Sequence, residues 1–187
     1  DAMSDSSVKS ILLDIDSGGG QVAGAFDLRD YILDQRGRKP MISIARDTMA
    51  SAAYLIGSAT DKIYTTQTGS VGSIGVVAMH VDQSEKNAKE GIKPTFIHAG
   101  EYKTAGNSHG ALEGEALSYL QESVNDSYQM FVSAVAEARG MDADAVRATE
   151  ARMYRGEKAV AQGLADGVAS IDVALTELAT SAPRVYQ

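Results

Sequence analysis

Short apolar runs alternate with helical stretches along most of the sequence, and this alternation constrains the fold more than any other feature. In the first such unit, the apolar run Val8 to Ile15 leads into Asp16-Ser17-Gly18-Gly19-Gly20, and apolar residues at helical spacing follow from Gln21 to Gln35. Such a unit is typical of a buried strand, a tight glycine turn and a helix. Repeated units of this kind predict an α/β fold with a mainly parallel sheet.

The same reasoning predicts the other elements. Strands are expected at 41–45, 62–65, 73–79 and 95–99, and helices at 51–59, 82–90, 113–139 and 156–162. Gly140 is the expected stop of the longest helix, and Asp142 is the expected cap of a short helix after it. No repeat or low-complexity linker divides the chain, so a single domain over residues 1–187 is predicted.

Composition argues against several classes of function. The net charge of −8 at pH 7 repels phosphates and anionic lipids, so neither nucleic acid nor a membrane surface is an expected partner. The chain has no cysteine, which removes disulfides and thiolate ligands. No His, Asp or Glu group has metal-ligand spacing, so no metal or cofactor is expected. No apolar run approaches the roughly 20 residues of a membrane helix.

The three consecutive glycines, Gly18 to Gly20, place bare amides at the start of a helix. Such amides suit a phosphate or a developing oxyanion. A strict dinucleotide-binding fingerprint would need glycine where Ala23 stands, although the relaxed form allows alanine there. A tight strand-to-helix turn with no ligand is the structural alternative.

Two further residues are candidates for catalysis. Ser51 lies in Met49-Ala50-Ser51-Ala52-Ala53-Tyr54, at the start of a predicted helix of small residues, where a serine most often serves only as a cap. Lys103 follows a predicted strand, where a lysine is usually a solvated charge. A lysine can take a proton from a serine only in its neutral form, which requires desolvation of the ammonium group.

Four motifs in this order resemble the signal peptide peptidase A (protease IV) family of serine peptidases. They are Ile15-Asp16-Ser17-Gly18-Gly19-Gly20, Ala50-Ser51-Ala52-Ala53-Tyr54, Gly72-Ser73-Ile74-Gly75-Val76 and Gly100-Glu101-Tyr102-Lys103. The resemblance continues through Tyr154 to Ala159 and Gly163 to Gly167, so it covers nearly the whole chain. It implies a ClpP/crotonase-like superhelix and a single peptidase domain that lacks the family's N-terminal strand and helix.

The resemblance also assigns roles to residues. Ser51 would be the nucleophile, Lys103 the general base and Ser73 the residue that orients the base. The backbone amides of Gly19, Gly20 and Ala52 would form the oxyanion hole. The chain departs from the family where Gly18 replaces a common proline and where alanines follow Ser51 in place of glycines. Neither change removes a catalytic side chain, so an active serine endopeptidase is expected.

The residues after the glycines and after Lys103 look like those of the phage head-maturation proteases, of the lambdoid protease C kind. This branch implies cleavage of a capsid or scaffold protein in the host cytoplasm or procapsid. The cellular branch would instead imply membrane association and signal-peptide remnants as substrates. Both imply a protein or peptide substrate and a homo-oligomer, such as a ring. The alanines beside Ser51 predict cleavage after small or apolar residues.

The sequence is also compatible with two other functions. A crotonase-type acyl-CoA enzyme would use a carboxylate base from the pair Asp14 and Asp16, or a histidine. The three histidines, His80, His98 and His109, are scattered without a motif and are expected to be ordinary surface or loop residues. The second alternative is a non-enzymatic capsid or scaffold module. The presence of both Ser51 and Lys103 argues against it.

Overall fold

The protein, studied as a computed structural model, is described over residues 1–181. It separates into two compact units, one of Asp1–Gly75 together with the chain from Met130 onward, the other of Val76–Gln129. The single domain expected over residues 1–187 stays a prediction.

The first unit is built on a sheet that has six strands within the described residues. In chain order these are β1 (Ile11–Ser17), β2 (Met41–Ala50), β3 (Lys62–Thr65), β4 (Ser70–Gly72), β5 (Met153–Arg155) and β6 (Gly167–Val168). The first half of β2 pairs in parallel with β1 and β3, and its last residues pair in parallel with β4. β6 extends the sheet in parallel beyond β3, whereas β5 runs antiparallel to β4. The predicted α/β fold with a mainly parallel sheet is therefore confirmed.

Seven α-helices occur within residues 1–181. They are α1 (Ala25–Asp34), α2 (Ala52–Gly57), α3 (Ser84–Lys89), α4 (Gly114–Arg139), α5 (Ala143–Arg147), α6 (Glu157–Ala161) and α7 (Ile171–Ser181). The strand β2 is buried through most of its length, because helices cover it. Ile42 and Ile44 of β2 pack against Ala174 and Leu178 of α7, so the central strand contributes directly to the core.

The ends of the helices follow the local sequence. Gly140 adopts a φ of 61°, which ends α4, and the Asp142 carboxylate accepts a hydrogen bond from the Asp144 amide at 2.7 Å. Both residues were predicted in these roles. Arg36 donates to the carbonyls of Ser58, Ala59, Thr60 and Ala138, and it thereby ties the end of α2 to the end of α4. These hydrogen bonds from Arg36 fix the position of α2, the helix that begins directly after Ser51.

The second unit contains α3, a short 3-10 helix (Glu101–Thr104) and the first part of α4. The strands predicted at 73–79 and 95–99 do not form, and a strand instead occupies Ser70–Gly72. A strand needs a row of backbone hydrogen bonds to a neighbour, and within residues 1–181 Ser73 alone in these two segments makes one. Ile74 is buried, but three other apolar side chains of these segments are exposed, by 89% at Val77, 85% at Met79 and 97% at Ile97.

Candidate active site

Ser51 forms a sharp turn between strand β2, which ends at Ala50, and helix α2, which begins at Ala52. Its φ of 53° and ψ of −125° lie outside the regions that residues with a side chain ordinarily adopt. The Ser51 amide donates to the Gly72 carbonyl at 2.9 Å, which holds the turn. Its hydroxyl makes no capping hydrogen bond, although a serine at this position is usually a cap. The side chain is thus presented at a strained turn, in the manner of a nucleophile elbow.

The glycine turn lies directly against this serine. Gly19 has a φ of 99°, and a Cβ atom placed on it would come within 2.6 Å of Ser51 Cβ, 2.8 Å of the Ala50 carbonyl oxygen and 3.0 Å of the Ala52 nitrogen. No residue with a side chain fits there without displacing backbone atoms. The fold therefore brings together two motifs that are separate in the sequence.

The amides predicted to stabilise an oxyanion differ in their present hydrogen bonds. Within residues 1–181 the Gly20 amide has no hydrogen-bond partner. Ala52 is the first residue of α2, where an amide has no acceptor within the helix. The Gly19 amide, in contrast, donates to the Ser17 hydroxyl at 3.2 Å. Two of the three predicted amides are therefore open to an oxyanion, and the third would have to exchange a long hydrogen bond.

Ser73 directly follows Gly72, whose carbonyl accepts the hydrogen bond from the Ser51 amide. It follows β4 directly and also has a positive φ, of 54°. Its amide donates to the Arg152 carbonyl at 3.1 Å. Because β4 is the parallel neighbour of the end of β2, both serines emerge at the same edge of the sheet.

Lys103 belongs to the second unit, where it lies in the 3-10 helix and is exposed. Its amide donates to the Gly100 carbonyl at 3.2 Å. The preceding residue, Tyr102, stacks on Tyr119 of α4 with ring centroids 4.9 Å apart. These contacts fix the backbone that carries the lysine. Pairing of Lys103 with Ser51 stays a prediction.

A cavity of about 490 Å³ lies beside the two open amides. Its wall includes Ala52 and Ala53, two of the alanines beside Ser51, whereas Ala50 is buried and does not line it. The sequence did not identify the larger apolar residues of this wall, which are Ile15, Leu28 and Ile56. The helical spacing of Ala25 and Leu28, which places both on one face of α1, was the signal in the sequence that could have identified Leu28. Among the described residues no charged side chain lines the cavity, so it suits an apolar group.

The other polar candidates have structural partners. Asp14 pairs with Arg46 at 2.9 Å, and the Asp16 carboxylate accepts a hydrogen bond from the Thr48 amide at 3.2 Å. The three histidines all lie in the second unit, where each bonds a local partner: His80 the Asn107 carbonyl, His98 the Gly100 carbonyl and His109 the Asn87 side chain.

Within residues 1–181, no group of His, Asp or Glu is arranged to hold a metal ion. None of the helices in this range combines the length and the apolar character that crossing a bilayer requires.

A mainly parallel sheet covered by helices, with a strained serine between a strand and a helix, places the chain among α/β proteins with an elbow-like turn at the end of a central strand. Among solved structures, a mutant of the 1510-N membrane-bound stomatin-specific protease matches 91% of this chain and 70% of its own, with a TM-score of 0.57 and 16% sequence identity. This likeness concerns the fold alone.

The sequence model of Peptidase family S49 matches residues 34–183, and the chain belongs to this family. Head-tail preconnector protein GP5 of Enterobacteria phage P21 is 41% identical over 96% of this chain. Capsid assembly protease C of Escherichia phage lambda is 38% identical over 94% of it, and a putative signal peptide peptidase SppA of Enterococcus faecium is 30% identical over 93%. The chain spans only 36%, 40% and 51% of these relatives' own lengths. Membership in the family confirms the resemblance found in the four motifs.

Proposed function

We propose that this chain is a serine endopeptidase in which Ser51 is the nucleophile and Lys103 the general base. The observation that carries the proposal is the strained conformation of Ser51, at the end of a buried strand and in contact with Gly19. Strain of this kind costs about 1–3 kcal/mol, and proteins retain it mainly where it serves a function. A serine with only a structural role would adopt an ordinary backbone conformation or would cap the helix with its hydroxyl. Family membership favours the peptidase over an acyl-CoA enzyme or a non-enzymatic module.

The reaction follows from these groups. The neutral amine of Lys103 takes the proton of the Ser51 hydroxyl while the serine oxygen attacks the substrate carbonyl. The resulting ammonium then gives that proton to the leaving amine as the peptide bond breaks, which leaves an acyl-enzyme. Water, deprotonated by the same lysine, hydrolyses the acyl-enzyme and regenerates Ser51. Ser73 would orient the lysine amine through its hydroxyl.

The oxyanion of both tetrahedral intermediates would be held by backbone amides. Gly20 and Ala52 supply open donors beside Ser51, and Gly19 would join them on release from the Ser17 hydroxyl. Loss of one such donor typically costs about 2.7–4 kcal/mol of transition-state stabilisation.

The biological role that we propose is maturation of a phage or prophage capsid, with a capsid or scaffold protein as substrate in the host cytoplasm or procapsid. The phage relatives, at 41% and 38% identity, support this role over the cellular one, for which the SppA relative is 30% identical. Cleavage of a purified lambdoid scaffold protein, but not of signal-peptide remnants, would distinguish the two.

Substitution of the proposed dyad tests the mechanism. We expect Ser51→Ala and Lys103→Ala each to abolish peptide hydrolysis and the double variant to be no worse, since the two residues act as one unit. Ser73→Ala should cost only about tenfold to a hundredfold, because Ser73 exchanges no bond with substrate. The wild-type rate should rise with pH across the neutral range and be indifferent to EDTA. Substantial hydrolysis by Lys103→Ala would exclude the proposed base.

Specificity should follow from the apolar cavity beside Ser51. Leu28 lines the cavity and is 46% exposed, so a carboxylate at this position can be solvated without disrupting the core. We expect the wild type to prefer small or apolar residues before the cleaved bond, and Leu28→Asp to accept Lys or Arg there at least about tenfold better. Val22, equally exposed at 45% but outside the cavity wall, provides the control Val22→Asp. Peptide-library profiling that finds equal changes in both variants would contradict the assignment of the cavity.

A further inference from the structure

A tight turn at Thr149–Arg152 packs against the segment that carries Ser73. The Arg152 amide donates to the Thr149 carbonyl at 2.9 Å, and both central residues have positive φ, 48° at Glu150 and 53° at Ala151. This combination is the pattern of a type I′ turn, for which Gly, Asn and Asp are strongly preferred. A glutamate and an alanine therefore hold an unfavourable conformation, which requires support from their surroundings.

The turn holds the backbone of Ser73. Strand β5 pairs with β4 up to Gly72 and Met153, and the Arg152 carbonyl then accepts the Ser73 amide at 3.1 Å. Ser73 itself is in a positive-φ conformation, with φ 54°. Because Arg152 is the last residue of the turn, the conformation of the turn determines where this carbonyl lies.

Ala151 sets the spacing between the turn and this segment. A Cβ atom placed on Gly75 would come within 2.8 Å of the Ala151 Cβ, and in the described chain it would meet no other atom within 4 Å, its chain neighbours aside. The φ of Gly75 is not in the left-handed region. Glycine is therefore required at position 75 because a larger residue would collide with the Ala151 methyl group, and not because of the backbone conformation.

We propose that Ala151 is a positioning residue for Ser73. Its methyl group, packed on Gly75, keeps the turn and the Ser73 segment at the separation in which the Ser73 hydroxyl meets the general base. The proposal rests on the function proposed above, in which Ser73 orients that base.

A pair of complementary substitutions tests the contact. Gly75→Ala adds a methyl that collides with Ala151, and Ala151→Gly removes the group with which it collides. We expect Gly75→Ala to lower kcat about tenfold when residue 151 is alanine and less than about twofold when residue 151 is glycine. An equal loss in both backgrounds, or no loss in either, would overturn the proposal.

Two further measurements distinguish positioning of Ser73 from a general structural effect. In a Ser73→Ala background, Gly75→Ala should change kcat less than about twofold, because the group through which it acts is gone. In the native background it should also move the half-maximal point of the pH–rate profile to higher pH, since a misplaced hydroxyl donates less well to the neutral amine. A tenfold loss that persists without the Ser73 hydroxyl, or an unmoved profile, would refute the role of Ala151.

The controls separate this inference from the proposed function. Hydrolysis by Ser51→Ala would refute the function, whereas an inactive Ser51→Ala together with failed rescue would refute only the role of Ala151. Circular dichroism monitors folding of each variant. If Gly75→Ala does not fold, Ala151→Ser enlarges the same contact from the side of the turn, and an unchanged kcat in that variant would overturn the proposal.

Discussion

Gly19 is the residue at which the glycine turn contacts the strained turn at Ser51, and its substitution should be far more harmful than that of its neighbour Gly18. In Gly19→Ala the new methyl would meet Ser51 and the flanking backbone at 2.6–3.0 Å, on a backbone whose φ of 99° already disfavours alanine. We expect a loss of about 2 kcal/mol in unfolding free energy. We also expect a fall of about a hundredfold in kcat, because the proposed oxyanion donors and the proposed nucleophile Ser51 would be displaced together.

The matched control is Gly18→Ala. An added Cβ at Gly18 meets nothing within 4 Å, and the φ of Gly18 is not in the left-handed region. Its unfolding free energy should stay within about 0.5 kcal/mol of the wild type, with kcat unchanged. Urea denaturation and steady-state kinetics on both variants measure the contrast. Equal losses at the two positions would show that the turn is merely sensitive to substitution, without a specific contact at Gly19.

The sequence alone proposes which residues form the site, but it does not predict their conformations. The order of the four motifs was enough to select Ser51, Ser73 and the glycines. The positive φ of Ser51 and Ser73 depends on tertiary contacts, from the Gly72 and Arg152 carbonyls respectively, and no local pattern of residues encodes these. Likewise Ile15 and Ile56 come to the cavity from different elements, so no spacing in the sequence marked them.

At the scale of the elements, Asp166 joins the end of α4 to the sheet. Its carboxylate accepts two hydrogen bonds from Arg139, both at 2.9 Å, and one from the Ile63 amide at 2.7 Å. Burial alone would raise the pKa of Asp166, but these hydrogen bonds outweigh burial and hold the pKa below its ordinary value. Since the folded state favours the ionised form, this stabilisation is complete above the ordinary pKa of about 3.9 and is lost as the pH falls below it.

Asp166→Asn should therefore lower the unfolding free energy at pH 7 and reduce its dependence on pH below 4. We expect a loss of about 2 kcal/mol at pH 7, after allowance for partial exposure of the carboxylate to solvent. At pH 3 the difference between variant and wild type should shrink. Asp144, whose side chain is 89% exposed, provides the control Asp144→Asn, which should stay within about 0.5 kcal/mol. A difference at Asp166 that is constant from pH 7 to pH 3 would contradict this account.

Elements with a clear local pattern could be predicted, including the four-residue strand β3, whereas the shortest strands and the unpaired segments could not. Helix α4 was expected at 113–139 and observed at Gly114–Arg139, because its apolar stripe and its terminal glycine are local signals. Strands β5 and β6 have only three and two residues, too few to show any period. The segment at 73–79 has the composition of a strand but lacks a partner within the described chain, so pattern alone predicted it wrongly.

At the scale of the whole molecule, the proposed site draws on both units. Ser51 and Ser73 lie in the first unit, whereas Lys103 lies in the second and is exposed in the single chain. A lysine base needs desolvation, which the exposed position does not supply. The second unit also leaves the apolar side chains of Val77, Met79 and Ile97 in solvent. Burial of such side chains between subunits would remove apolar surface from water, which favours association. We therefore expect the chain to assemble with copies of itself and the base to be desolvated in that assembly.

If assembly completes the site, Ser51 of one protomer can pair with Lys103 of its neighbour, and two inactive variants should complement each other. In a random one-to-one mixture of Ser51→Ala and Lys103→Ala chains, half the serines and half the lysines are intact, so about a quarter of the sites would hold both. We expect up to about a quarter of wild-type activity after subunit exchange, and a fall in wild-type activity per protomer on dilution. Exchange is verified by co-purification of differently tagged chains, and each variant alone supplies the background. A fully active monomer at micromolar concentration would contradict the idea, as would verified exchange with no recovered activity, because either result would place both residues of the dyad in one chain.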